Sequence, residues 1–78
     1  MDFSIGDNVF LAVPLPYLKT AAHMPMLRPA DLVSPEEMGE IIGLDTSNIA
    51  KVRFRRGVFL IPMNHLSKNI NQDENNAP

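Results

Sequence analysis

The side chains that could bind a metal or catalyse a reaction are few and far apart in this sequence of 78 residues. There is no cysteine, and neither His23 nor His65 has another histidine at the short spacing that zinc ligands require. No serine has the glycine-flanked context that activates a nucleophile, and Gly6 precedes a strand-like run instead of a phosphate-binding helix. We therefore predict no enzymatic activity, no metal and no cofactor.

Positive charge is concentrated in one short stretch, although the formal net charge of the chain is -2. The stretch contains four cations, Lys51, Arg53, Arg55 and Arg56. Such a face is often only solvated, but it could also contact an acidic protein surface or phosphates. Apolar and charged residues alternate here, so Phe54 points away from the cations of the strand and cannot stack with bases between them. Nucleic-acid binding is therefore the least favoured of these interpretations.

Short β-strands are the elements that position these side chains. Asn8 to Val13 is rich in β-branched and aromatic residues and is stopped by Pro14. Lys51 to Arg55 alternates with the period of a strand that has one buried and one solvated face. Arg56-Gly57 has the composition of a tight turn, after which Val58 to Ile61 returns to complete a hairpin.

The segment Ser34-Pro35-Glu36-Glu37 has the pattern of a helix start, with an N-cap serine, a proline and a glutamate three residues after the serine. Two glycines interrupt any longer helix, so we expect one helical turn at most, followed by a strand from about Gly39 to Leu44. A turn at Asp45 to Asn48 joins this strand to the next one. Near the C-terminus, Asn64 to Leu66 suggests a helical turn and a last short strand.

These elements predict an all-β fold, a small five-stranded SH3-like barrel over residues 1–66, followed by a disordered polar tail over residues 67–78. Closing a small sheet removes the exposed edges that an open sheet would leave. The expected pattern is a long loop after the first strand, a central three-strand meander and a helical turn before the last strand. No signal peptide and no membrane span are expected.

The segment from Pro14 to Ser34 is longer than most connections in compact domains, and long loops of this kind are often functional. Its prolines restrict the backbone and lower the entropy that is lost when the loop is fixed. Methionine adapts to irregular surfaces, and tyrosine and arginine are enriched at binding hot spots. These residue types are present here as Tyr17, Met24, Met26 and Arg28. The loop is therefore predicted to dock another protein.

Some apolar residues of this loop could instead fold over an open end of the barrel and complete its core. That alternative stays open for Leu18, Leu27, Leu32 and Val33. The predicted partner-binding set comprises loop residues Tyr17, Leu18, Lys19, Met24, Met26, Leu27 and Arg28, together with Arg53, Arg55 and Arg56 of the basic stretch.

Three stretches of the loop carry a resemblance to a known family: Pro16 to Ala21, Met24 to Pro29 and Asp31 to Val33. They resemble the signature of the SipA family of small cyanobacterial regulatory proteins, known as NblS-interacting proteins. Gly6-Asp7 and Val52-Arg53-Phe54 also fit that pattern, but they are generic to SH3-like barrels.

This resemblance implies a non-catalytic adaptor that binds the ATP-binding catalytic domain of an NblS-type sensor histidine kinase. The adaptor would stimulate autophosphorylation in light and nutrient stress signalling. Docking through Tyr17, Met26 and Arg28 would favour the kinase conformation in which ATP meets the phosphoacceptor histidine. We expect a cytoplasmic monomer. Two alternatives stay open, a nucleic-acid- or ribosome-associated module that uses residues 51–56 and a structural subunit of a photosynthetic complex.

Overall fold

The computed structural model describes residues 3–22, 24, 26–34, 36–45 and 48–68. Within these ranges the chain is all-β, with seven antiparallel strands in one sheet, two short 3-10 helices and no α-helix. The strands are β1 (Asn8–Leu11), β2 (Tyr17–Thr20), β3 (Leu27–Pro29), β4 (Met38–Leu44), β5 (Ile49–Phe54), β6 (Gly57–Pro62) and β7 (Leu66–Lys68). The 3-10 helices cover Ala30–Leu32 and Met63–His65.

The strand order in the sheet is β3-β2-β6-β5-β4-β1-β7. The edge strands β3 and β7 are not joined to each other in the described residues, so the sheet is open and the predicted closed barrel of five strands is not what the strand pairing forms. The two additional strands, β2 and β3, come from the segment that the sequence predicted as a loop. Proline is unfavourable inside a sheet, but a sheet edge tolerates Pro29, which lacks a backbone N–H donor.

The other predicted strands are present with small shifts at their ends. β1 stops before Val13 because the N–H groups of Ala12 and Val13 both donate to the carbonyl of His65, at 2.8 and 3.2 Å. β5 and β6 form the predicted hairpin, in which Phe54 pairs with Gly57. The turn residues are therefore Arg55 and Arg56 instead of Arg56 and Gly57.

The predicted helix start at Ser34 forms a tight turn instead of a helix. The N–H of Glu37 donates to the carbonyl of Ser34 at 3.0 Å, and Glu36 has a left-handed φ of 69°. The Glu37 carboxylate accepts the N–H of Ser34 at 3.1 Å and the N–H of Arg55 at 3.0 Å. The contact of Glu37 with the Ser34 N–H is the one expected at a helix start. Its second contact, with the Arg55 N–H, connects the turn to the β5–β6 hairpin. Pro35 lies outside the described residues.

The core consists entirely of apolar side chains. Burial in β5 alternates with period two, as the sequence predicts, and the rings of Phe54 and Phe59 lie 6.4 Å apart between centroids. No polar or charged side chain among the described residues is buried. The buried residues are Val9, Leu18, Val33, Ile41, Ala50, Val52, Phe54, Phe59, Ile61 and Leu66.

β7 extends the ordered sheet beyond residue 66. Ser67 and Lys68, which the sequence placed in the polar tail, pair with Phe10 and Val9 of β1. The Lys68 ammonium group also lies 3.5 Å from a carboxylate oxygen of Asp7. Residues 69–78 of the predicted tail lie outside the described residues. In the part of the chain that the structure describes, no helix is long and apolar enough to cross a membrane.

Gly39 is the most closely packed of the four glycines. A Cβ atom at Gly39 would lie 2.7 Å from Cγ1 of Val52 and 2.8 Å from Cε1 of Phe54. We therefore expect Gly39→Ala to lower the free energy of unfolding by about 1–3 kcal/mol, because overpacking displaces buried side chains. Urea denaturation of the purified chain measures this change.

Gly43→Ala is the matched control, because it adds the same methyl group to the same strand. Its Cβ would approach Cδ of the exposed Lys51 side chain at 3.2 Å, and that side chain can move away. The control should stay within about 1 kcal/mol of the unmodified chain. Equal stabilities of the two variants would show that the close packing at Gly39 does not constrain the fold.

Candidate protein-docking surface

The β2–β3 hairpin carries most of the residues that the sequence predicted for partner binding. Its register pairs Tyr17 with Pro29, Leu18 with Arg28 and Lys19 with Leu27. Successive side chains of a strand point to opposite faces. Leu18 is buried, so Tyr17 and Lys19 of the same strand point to the outer face of the hairpin.

The apolar side chains of the hairpin differ in what they can offer a partner. Met24 and Met26 are 76% and 60% exposed, and Tyr17 and Leu27 are also exposed. Leu18 is 0% exposed, so its prediction as a partner contact needs correction: the alternation of β2 points it into the core. The alternative core role holds for Leu18 and for the buried Val33, whereas Leu32 is half-buried and Leu27 is exposed.

A hollow of about 510 Å³ lies between the hairpin and the β5–β6 turn, and we refer to it as the hairpin hollow. It brings together four of the predicted residues, Met24, Met26, Arg28 and Arg56. Leu32, Val58 and Phe59 complete its apolar lining. Val58 was not among the predicted site residues. Its neighbour Phe59 is buried, so the alternation of side chains along β6 points Val58 to the opposite face.

Tyr17 and Lys19 lie at a different place from the hairpin hollow. They line a second hollow of about 320 Å³ together with Leu60 and Pro62 of β6. Six of the predicted residues are therefore divided between two hollows, and the exposed Leu27, Arg53 and Arg55 line neither of them. The division follows from strand alternation, which the prediction of an irregular loop did not include.

Hydrogen bonds hold the base of the β2–β3 hairpin. The N–H of Thr20 donates to the carbonyl of Met26 at 2.8 Å, and the N–H of Met26 donates to Oγ1 of Thr20 at 2.9 Å. The N–H of Ala21 donates to the carbonyl of Val58 at 3.0 Å, which attaches the hairpin to β6. Prolines were predicted to stiffen this segment, and these three hydrogen bonds are a further restraint on it.

The basic residues of the β5 region do not form one continuous binding face. Lys51 and Arg53 lie exposed on β5, and Arg53 pairs with Glu40 at 2.6 Å. Both side chains of that ion pair are largely exposed, so the pair contributes about 0–1 kcal/mol to stability. Arg55 and Arg56 occupy the turn, and of the four cations only Arg56 lines the hairpin hollow.

Histidine and carboxylate side chains do not gather into a metal site in the described ranges. Those ranges contain no group of three or more His, Cys, Asp or Glu side chains placed to hold a metal ion. Nδ1 of His65 lies 3.0 Å from Oδ1 of the neighbouring Asn64. His23 lies outside the described residues.

The family of the chain follows from one match. The family model described as Protein CHLORORESPIRATORY REDUCTION 42-like, or CRR42-like, matches residues 5–66. The chain belongs to the CRR42-like family. No curated protein and no solved structure shows significant similarity to it. The CRR42-like match ends at the first residue of β7 and includes the hairpin and its hollow.

The CRR42-like match shows that the predicted membership of the SipA family is wrong. The predicted kinase partner, the stimulation of autophosphorylation and the role in two-component signalling depended on that resemblance and are wrong with it. Several residues that carried the likeness meet general needs of a β fold. Gly6 has a left-handed φ of 99° in a turn, and Val52 and Phe54 fill the core. Many small β domains share such requirements.

Thr20→Val should loosen the base of the hairpin in this CRR42-like chain. Valine has nearly the same shape but lacks the oxygen that accepts the Met26 N–H, a bond worth about 0.5–1.5 kcal/mol. We expect hydrogen exchange at the Met26 amide to become up to about tenfold faster. Thr20→Ser keeps the hydroxyl group and should exchange at nearly the original rate. Equally fast exchange in both variants would contradict a role for the hydroxyl group.

Proposed function

We propose that this CRR42-like chain is a non-catalytic component of a photosynthetic complex and binds another protein of that complex through the β2–β3 hairpin. The observation that carries the binding role is the exposure of Met24, Met26, Leu27 and Tyr17 on one anchored hairpin. The description of the family contains the term chlororespiratory reduction, which supports a photosynthetic electron-transfer complex as the partner of the chain.

The hairpin has the physical properties of a docking element. Methionine, leucine and tyrosine side chains offer adaptable apolar contact area, and Arg28 and Lys19 beside them provide a charged rim. The hydrogen bonds between Thr20 and Met26 fix the hairpin before binding, which reduces the entropy that association would otherwise cost.

A catalytic role finds little support in the residues of the hairpin hollow. The described residues of its lining include no acid and no histidine, and the one hydroxyl side chain among them, Thr20, already accepts the Met26 N–H. The absence of enzymatic activity therefore belongs to the proposal. The monomeric state and the cytoplasmic location stay predictions.

An SH3-like class of fold is also part of the proposal. The meander of β4, β5 and β6, the 3-10 helix before β7 and the pairing of β1 with both β4 and β7 agree with that class. In this description the β2–β3 hairpin takes the place of the long loop after the first strand. The hairpin proposed for binding is then an insertion into a core of five strands, β1, β4, β5, β6 and β7.

Deletion and complementation test this function in the organism that encodes the chain. Loss of the gene should impair the reduction of photosynthetic electron carriers in the dark, which chlorophyll fluorescence after illumination measures. It should also change the migration of the corresponding complex in native gels. The unmodified chain, returned on a plasmid, should restore both properties and migrate with the complex. Normal fluorescence and normal complexes in the deletion strain would contradict the proposal.

Alanine variants test the docking surface in the same strain. Met26→Ala and Tyr17→Ala should each weaken binding by about 2 kcal/mol, roughly thirtyfold, if the residue is a hot spot. The fraction of the chain that migrates with the complex measures this loss, and the two variants report on the two sides of the hairpin separately. Ile5→Ala is the control, because Ile5 is 65% exposed outside the hairpin. Retention of both hairpin variants in the complex would exclude the hairpin as the contact.

A further inference from the structure

Two arginines in the lining of the hairpin hollow have no ionic partner among the residues that the structure describes. The ion pairs of the described residues join Arg53 with Glu40 and Lys68 with Asp7, and neither pair involves Arg28 or Arg56. Both of these arginines are exposed. None of the described residues that line the hollow is acidic. The hollow is therefore a local site of unbalanced positive charge on a chain whose formal net charge is -2.

Apart from Thr20, the rest of the described lining is apolar, and the hollow has a buried floor. Met24, Met26 and Val58 contribute apolar surface, and the buried ring of Phe59 lies beneath them. Phe59 packs against Phe54, so the floor belongs to the hydrophobic core. The volume of about 510 Å³ falls within the roughly 300–1,000 Å³ of ligand pockets, so several side chains of a partner fit.

We propose that the hairpin hollow binds a segment of the partner protein in which an Asp or Glu carboxylate lies beside an aliphatic side chain. This inference depends on the proposed function, because it specifies the chemistry of the same docking surface. Guanidinium groups bind carboxylates through paired hydrogen bonds, and Arg28 and Arg56 are both available to do so. The aliphatic side chain would fill the space beside Met26 and Val58.

In this proposal the partner segment is recognised through contacts with side chains of the hollow, and it does not add a strand to the edge of the sheet. β3 is the sheet edge next to the hollow, but it has only three residues and ends at Pro29. Proline has no N–H to donate to an incoming strand, so the edge offers a poor template for strand addition. The contacts of the partner therefore fall on the arginines and on the apolar lining.

A nucleic acid fits the hollow less well than an acidic protein segment does. Proteins that bind single strands stack bases on exposed aromatic rings. The aromatic ring in the lining of the hollow is Phe59, which is 2% exposed and cannot stack with a base. Tyr17, which is exposed, lines the other hollow.

Two matched peptides test the proposal on the full chain. Each is a capped octapeptide of Gly and Ser with a central Leu-Glu-Leu or Leu-Gln-Leu, titrated into the isotope-labelled protein and followed by nuclear magnetic resonance. We expect the Glu peptide to shift the side-chain N–H signals of Arg28 and Arg56 and the amide signal of Met26. It should bind about tenfold more tightly than the Gln peptide, because the Glu carboxylate carries a charge opposite to that of the guanidinium groups and the Gln amide is neutral.

Variants of the chain connect this preference to the arginines. Arg28→Gln and Arg56→Gln should each reduce the preference for Glu over Gln, and the double variant should abolish it. Lys51→Gln removes one positive charge outside the hollow and should preserve the preference. The spectrum of each variant without peptide shows whether the fold is intact.

Three outcomes would overturn the proposal: equal affinity for the two peptides, no shifts at the hollow with either peptide, or a stronger response of Arg28 and Arg56 to inorganic phosphate or to an octathymidylate. The first would show contact without carboxylate recognition, and the last would show a phosphate site. These results are separate from a failure of the proposed function. A deletion strain with normal fluorescence and normal complexes contradicts that function. Equal peptide affinities, together with a Met26→Ala strain that loses the chain from the complex, contradict only the recognition of a carboxylate by the hollow.

Discussion

The fold depends on the packing of Val52 and Phe54 against the bare backbone of Gly39. A side chain at Gly39 has no room, because its Cβ would lie within 3 Å of both neighbours. The same glycine pairs with Val9, so this contact joins β1 to the β4–β5–β6 meander. Phe54 in turn packs against Phe59, whose ring forms the floor of the hairpin hollow. The surface proposed for binding therefore rests directly on the contact that holds the sheet together.

The strands that depend on neighbouring residues in the sequence were predicted correctly, with small shifts at their ends. The alternation of Lys51 to Arg55 gave the correct faces of β5, and Gly57 marked the hairpin that follows. The strands β2 and β3 were not predicted because they are short and lie among prolines. A hydrogen bond from the Ala21 N–H to the carbonyl of Val58 attaches the hairpin to β6. This contact joins distant parts of the chain and leaves no periodic signal in the sequence.

The candidate site was predicted in its residue types but not in its arrangement. Met24, Met26, Arg28 and Arg56 meet in one hollow, although no local pattern indicated that Arg56 lies beside the hairpin. Leu18 was included because an irregular loop has no fixed faces, whereas a strand buries every second residue. The family resemblance depended on three stretches of the same segment. The family match over residues 5–66 shows that their pattern does not identify the SipA family.

The proline at the end of β3 has a consequence for the behaviour of the free chain in solution. A protein that displays methionine and leucine side chains next to an open sheet edge risks stacking edge to edge into fibrils. Pro29 interrupts the hydrogen bonds that such growth requires, and at the opposite edge β7 is equally short and ends with the charged Lys68. Both features lower the risk of edge-to-edge growth, while the exposed apolar side chains of the hairpin stay available for the proposed contact.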